Sequence, residues 1–302
     1  MRILLQFPEG LKQNAIEYAK ELERKGHAIS LSASPCFGAC DLAIDEALAI
    51  KADKIIHYGH AEFVNAKLPV KVEYQEYPIA ADLAFIAKAK KELKGIKAVA
   101  LATTVQYVQL LPKVKKSLEK FGIKIRLAKG HFAKYEGQLL GCDTGAIANV
   151  KGKVDCVVYF GAGMFHPLAI ETEKVLVLNP VTKTVYWITE EIMRFRRRRR
   201  AMLIGALEAK RFGILVSTKI GQLNLTGALR ARDELRKRGR EAHILVANYV
   251  DSTAIKNFNS FDAFVNTACP RLGDDYELFE KPIVNLAELG ELLNLIGSVK
   301  NK

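Results

Sequence analysis

Short apolar runs alternate with amphipathic stretches along this chain, and the series starts three times. "RILLQF" (2–7) reads as a strand, 9–25 as an amphipathic helix, "HAISLSA" (27–33) as a second strand, 39–50 as a helix and "KIIHYG" (54–59) as a third strand. The second series has "IKAVALATT" (96–104), a helix over 106–121, "IKIRLA" (123–128) and "DCVVYFGAG" (155–163). The third has "FGILVST" (212–218), a helix over 225–238, "EAHILVA" (241–247) and "FDAFVNT" (261–267). Strands separated by helices build βαβ units, hence parallel sheets covered on both faces. Three starts at roughly hundred-residue spacing predict three similar α/β domains, 1–90, 91–195 and 196–302, set around a pseudo-threefold axis. The pattern repeats; residue identity between the three series is slight.

A chain of 302 residues with 49% hydrophobic content can bury a large core. No apolar run reaches the roughly 18 residues needed to span a bilayer. "MRILLQFPEG" meets Pro8 and Glu9 too early for a signal peptide, so a cytoplasmic protein with no membrane partner is expected. The net charge of +13 points to an acidic partner, a nucleic acid or a protein associated with one. The alternative is a charged surface suited to heat.

Cytosolic thiols stay reduced, so the five cysteines argue for metal binding or for packing over disulfides. Cys40, Cys142 and Cys269 each fall in a loop past the carboxyl end of a strand, one per domain. Ligand sites of open α/β sheets lie at that edge. Cys156 sits within the apolar strand "DCVVYF" and reads as core, and Cys36, four residues before Cys40, reads best as packing. Three thiolates suit a 4Fe–4S cluster with one open iron or a zinc site with one open position, and spacing alone leaves both open.

The stretches "QFPEGL" (6–11), "CFGACDLA" (36–43), "HYGHA" (57–61), "TTVQ" (103–106), "GQLLGCD" (137–143), "YFGAGMFHPLA" (159–169), "STKIGQ" (217–222) and "CPRLGDD" (269–275), in this order and nearly end to end, resemble the archaeal diphthamide synthesis family. The resemblance implies three α/β domains that each give one cysteine, here Cys40, Cys142 and Cys269, to a 4Fe–4S cluster. It implies that S-adenosylmethionine binds the open iron and loses its 3-amino-3-carboxypropyl group as a radical. That group would go to a histidine of translation elongation factor 2, leaving 5′-methylthioadenosine. It also implies a homodimer and an external electron donor. "CFGAC" gives only the first spacing of the three-cysteine loop of ordinary radical enzymes of this cofactor, and no third thiol follows. A quinolinate-synthase-like cluster enzyme and a basic nucleic-acid-binding protein are the rival readings.

Fixing the cofactor requires polar groups near the strand ends. Gln106, His166, Ser217, Thr218, Gln222 and Asp274 are the candidates, with Asp275 beside the last; one of His57 and His60 is also expected nearby. In "MRFRRRRRAML", Arg199 falls on the apolar helical stripe of Ile188, Ile192, Phe195, Leu203 and Ala206, while Arg197 points opposite. An arginine on such a stripe needs an anionic partner, either the cofactor carboxylate or a buried acid.

Overall fold

The computed structural model describes residues 1–63 and 67–300; the side chains of residues 275–277, 299 and 300, and so that of Asp275, lie outside the description. The chain divides into two compact units, Met1–Thr189 and Glu190–Lys302.

The first unit holds two sheets. Strands β1 (Arg2–Gln6), β2 (Ala28–Leu31), β3 (Lys54–Tyr58) and β4 (Lys71–Gln75) form an all-parallel sheet in the order β2-β1-β3-β4. Helices α1 (Ala15–Arg24) and α2 (Ile44–Ala49) cover its two faces. Successive side chains of β1 explain why. Ile3 and Leu5 pack with Ala15, Ala19 and Leu22 of α1, whereas Leu4 points the other way onto Ala43 and Ala47. Each such buried aliphatic side chain contributes about 1.5–3 kcal/mol.

The second sheet contains β5 (Ala98–Thr103), β6 (Lys124–Arg126), β7 (Cys156–Phe160), β8 (Val175–Asn179) and β9 (Thr184–Trp187), in the order β6-β5-β7-β8-β9. Only β9 is antiparallel to its neighbour. Helices α3 (Ala89–Glu92), α4 (Leu111–Glu119) and α5 (Gly145–Ala148) belong to it, and Leu111, Val114 and Leu118 seat α4 in the core. The two sheets are joined by side chains. Gln106 donates to the Gly59 carbonyl at 3.1 Å, and Glu76 accepts from Lys134 and Tyr135, each at 2.8 Å.

The second unit starts with α6 (Thr189–Gly205) and contains β10 (Arg211–Ser217), α7 (Leu225–Lys237), β11 (Glu241–Ala247), α8 (Ser252–Lys256), β12 (Ala263–Asn266), β13 (Ile283–Asn285) and α9 (Leu289–Lys300). Its all-parallel sheet runs β11-β10-β12-β13. Asn224 and Asp251 cap α7 and α8 by accepting from the N–H groups of Gly227 and Ala254.

All three sheets thus share one strand order, second-first-third-fourth, with a switch point beside the first strand. The mostly parallel α/β class follows from the alternation in the sequence. Three expectations change, one of them the helix expected over 106–121, which opens as a 3-10 turn, Val105–Leu110, before α4. The helix expected over 39–50 forms only from Ile44, and residues 39–43 are loop. The stretch 9–25 opens as a 3-10 turn, Glu9–Asn14, before α1. Among the described residues, no helix is long and apolar enough to cross a membrane.

Candidate iron–sulfur site and its cysteine loops

Cys40 lies in the loop between β2 and α2. Gln6, the last residue of β1 and buried, reaches into that loop: its Nε2 donates to the Asp41 carbonyl at 2.7 Å and its Oε1 accepts from the Ala43 N–H at 3.1 Å. Those partners lie 35 and 37 residues away in sequence. Capture by Gln6 gives Asp41 and Ala43 a hydrogen-bonding alternative to a helical turn, and α2 begins beyond them. Tyr74 of β4 donates to the Ala39 carbonyl at 3.1 Å, and the Asp41 carboxylate accepts from the Phe37 N–H at 3.3 Å. Backbone groups on both sides of Cys40 are therefore tied.

Cys142 sits with Gly141 at the tip of a tight turn, where the Leu140 and Asp143 backbones exchange hydrogen bonds of 3.0 and 3.2 Å. The stretch leading into it is laid against the end of β5 by Thr103, which bonds Gly137 and Leu139 at 2.8 Å each. The buried carboxylate of Asp143 accepts from Phe132 at 2.6 Å and from Gly145 at 2.8 Å. Gly130 is needed here, because a Cβ on it would stand 2.5 Å from that carboxylate.

Cys269 follows β12. Asn266, buried, donates through Nδ2 to the Cys269 carbonyl and to Asn285 Oδ1, each at 2.7 Å, and accepts from the Ala268 N–H at 3.0 Å. Asn285, at the end of β13, donates to the Pro270 carbonyl at 2.8 Å. Cys40 and Cys269 are half-buried and Cys142 is exposed. All three lie at the carboxyl edge of a parallel sheet in reach of a ligand, and no disulfide engages a cysteine among the described residues. Cys156 differs: it is buried in β7, and burial pushes its thiol up to about 12, which suits packing and not thiolate ligation.

Several expected cofactor residues have internal partners. Arg199 meets the acid of the two expected alternatives: its Nε donates to Glu288 at 2.9 Å, with both side chains half-buried. Glu288 also accepts from the Asn285 N–H at 3.0 Å, closing a capping box at the approach to α9. The stripe holds in part: Ile192 and Leu203 of α6 are buried and Phe195 is half-buried, while Ile188 and Ala206, also buried, lie just outside the helix. The Asp274 carboxylate pairs with the buried guanidinium of Arg271, so a cation of the chain already meets it. The Ser217 hydroxyl donates to the Asn248 carbonyl at 3.0 Å and accepts from the Lys219 N–H at 3.2 Å, a backbone role. Gln106 spends its amide on Gly59. Thr218 is exposed and Gln222 half-buried just past β10, and half-buried His166 precedes the 3-10 turn Pro167–Ala169 after β7.

Sequence reasoning missed Gln6, Asp143, Asn266 and Asn285, which hold the loops, and Lys219, a buried lysine two residues beyond β10 with its Nζ 5.5 Å from the Tyr249 ring centre. Only Lys219 carried a readable signal, a lone cation directly after an apolar strand.

The fold and these loops define an α/β protein that places one reachable thiol at the ligand edge of each parallel sheet. The family model for "Putative diphthamide synthesis protein" matches residues 7–301. The chain is 37% identical over 303 residues to the 2-(3-amino-3-carboxypropyl)histidine synthase of Pyrococcus horikoshii, covering 97% of this chain and 86% of the relative. It is 32% identical to the enzyme of the same name from Methanocaldococcus jannaschii, covering 93% and 81%. The crystal structure of Dph2 from P. horikoshii with 4Fe-4S cluster superposes with a TM-score of 0.87 at 36% identity, covering 97% of this chain and 86% of that one. The chain belongs to the diphthamide synthesis family.

Proposed function

We propose that this chain carries out the first step of diphthamide synthesis. It is a transferase that moves the 3-amino-3-carboxypropyl group of S-adenosylmethionine to a histidine of translation elongation factor 2. The observation that carries this reading is the family match over residues 7–301 together with one reachable loop thiol on each of the three sheets. Cys40, Cys142 and Cys269 would hold a 4Fe–4S cluster and leave one iron open, since three thiolates serve four irons. When bound, the cluster supplies the electron that breaks one carbon–sulfur bond of the sulfonium, giving the 3-amino-3-carboxypropyl radical and 5′-methylthioadenosine.

The chain's own work is to hold the loops, orient the cofactor and exclude water. Buried Lys219 offers the cation that the methionine carboxylate needs, and Thr218, Gln222 and His166 offer the polar groups. Gln106, Ser217, Arg199 and Asp274 are engaged by the internal partners described above. The enzyme works as a cytoplasmic homodimer supplied with electrons by an external donor.

The test is anaerobic reconstitution with iron and sulfide, reduction with dithionite, addition of S-adenosylmethionine and chromatography of the nucleoside product. The expected product is 5′-methylthioadenosine, lost in Cys40→Ala, Cys142→Ala or Cys269→Ala and kept in Cys156→Ala. 5′-Deoxyadenosine in its place would overturn the assignment.

A further inference from the structure

Cys36, set aside as packing in the sequence, stands beside a histidine pair. One ligand atom each of Cys36, His57 and His60 lies within 4.8 Å of the other two. The Cys36 and His57 side chains are buried and His60 is half-buried. Gly59, between the histidines, has a φ of +84°, a left-handed turn that a side chain would resist, and the rings it separates lie with centres 5.0 Å apart.

The protonation pattern is fixed from behind. Gln6 Nε2 is committed as a donor to the Asp41 carbonyl, and its Oε1 already accepts from the Ala43 N–H. That oxygen can only accept from His57 Nδ1, 2.9 Å away, so the His57 proton is on Nδ1. The lone pair is then on Nε2, which faces His60 Nδ1 at 2.9 Å. A ring nitrogen with its proton locked onto an amide oxygen and its bare nitrogen turned to other ligands is the arrangement in which metal-binding histidines are held.

We propose that Cys36, His57 and His60 bind a zinc ion through the Cys36 Sγ, His57 Nε2 and His60 Nδ1, with water in the fourth position. Two imidazoles and one thiolate are a donor set for zinc and unsuited to magnesium or calcium, which take oxygen. Binding shifts the His60 proton from Nδ1 to Nε2, replaces the His57–His60 hydrogen bond by two bonds to the ion, and releases one proton from the Cys36 thiol to solvent. The ion joins the start of the 36–43 loop to the end of β3, so it adds a second tie to the loop that carries Cys40.

The experiment is metal analysis and zinc-edge X-ray absorption on the full chain, purified with its cluster loaded so that zinc cannot occupy the loop thiols. The expected result is about one zinc per chain, with one sulfur at ~2.3 Å and two or three nitrogen or oxygen neighbours at ~2.0–2.1 Å. Zinc should be lost in Cys36→Ala and, independently, in His60→Ala, while both variants keep their iron. No zinc above background, zinc kept in Cys36→Ala, or a shell of two or more sulfurs would overturn the proposal.

Discussion

The two edges of each sheet are built on opposite plans. At the amino edge one device occurs three times: an aspartate directly before the third strand binds the start of the first. Asp53 accepts from the Arg2 N–H at 2.7 Å, Asp155 from Lys97 and Ala98 at 2.7 and 2.9 Å, and Asp262 from Lys210 and Arg211 at 3.0 and 2.9 Å. Each returns its own N–H, at 2.8 Å, to the carbonyl of Arg2, Ala98 or Arg211. At the carboxyl edge the repeat is only partial: an aspartate directly after Cys40 and after Cys142 accepts a backbone N–H of its own loop, but a glutamine from the first strand adds the main hold on the Cys40 loop and two asparagines hold the Cys269 loop. The amino edge has only to start strand pairing in register, and one solution serves each sheet. The carboxyl edge carries chemistry, and each loop presents its thiol with its own polar hook.

The sharpest way to break this contrast is at the thiols. Alanine at Cys40, Cys142 or Cys269 should abolish stable iron loading, while Cys156→Ala should leave it unchanged; anaerobic iron and sulfide analysis decides. Iron retained in any of the three would remove that cysteine from the ligand set.

Next in size is the loop hook. Gln6→Leu leaves the Asp41 carbonyl, the Ala43 N–H and His57 Nδ1 without their partner in a buried setting. At about 1–3 kcal/mol for each such group, the expected loss is on the order of 3 kcal/mol or more in denaturant unfolding, with iron loading reduced as well. A loss under about 1 kcal/mol would show that the loop does not depend on Gln6.

The amino-edge aspartates should give smaller effects, and Asp155 and Asp262 set part of the acid limb of stability. The Arg211 guanidinium, with the backbone N–H groups, holds the Asp262 carboxyl down at about 2, and backbone hydrogen bonds lower Asp155. A carboxylate with a depressed folded value stabilises fully above its unfolded value of ~3.9, and that contribution is lost as pH falls through the folded value. Asp262→Asn should therefore flatten the fall in urea midpoint between pH 5 and pH 2. An unchanged acid limb would mean that Asp262 contributes nothing there.

The smallest change is expected from Arg199→Leu, which removes the Glu288 ion pair and loosens the approach to α9. S-adenosylmethionine affinity, measured by calorimetry, should stay within about twofold of the parent, well under 1 kcal/mol. A tenfold loss in a folded variant would restore Arg199 to the cofactor site.

How far the sequence could be read follows the range of the interactions. The seven-residue strand "EAHILVA" forms over Glu241–Ala247 as its composition demands, and α7 fills Leu225–Lys237 almost as its periodicity predicts. Most runs of β-branched and aliphatic residues declare themselves locally, and so do the loop cysteines that follow them, yet sequence reasoning missed β8, "VLVLN", although it is such a run. β4, "KVEYQ", escaped because its side chains are at most half-buried and it carries two charges; β9 is a short hairpin partner and β13 a three-residue edge strand.

The alternating pattern, the parallel class, the core position of Cys156 and the loop position of the other thiols are all legible in the residue order. That α2 starts beyond Cys40, that Gln6 fixes the His57 tautomer and that Arg199 is matched by Glu288, 89 residues away, emerges from the folded chain alone. Periodicity reports which face of an element leaves water. A buried amide or guanidinium has no period, and its partner is set by where distant strands end.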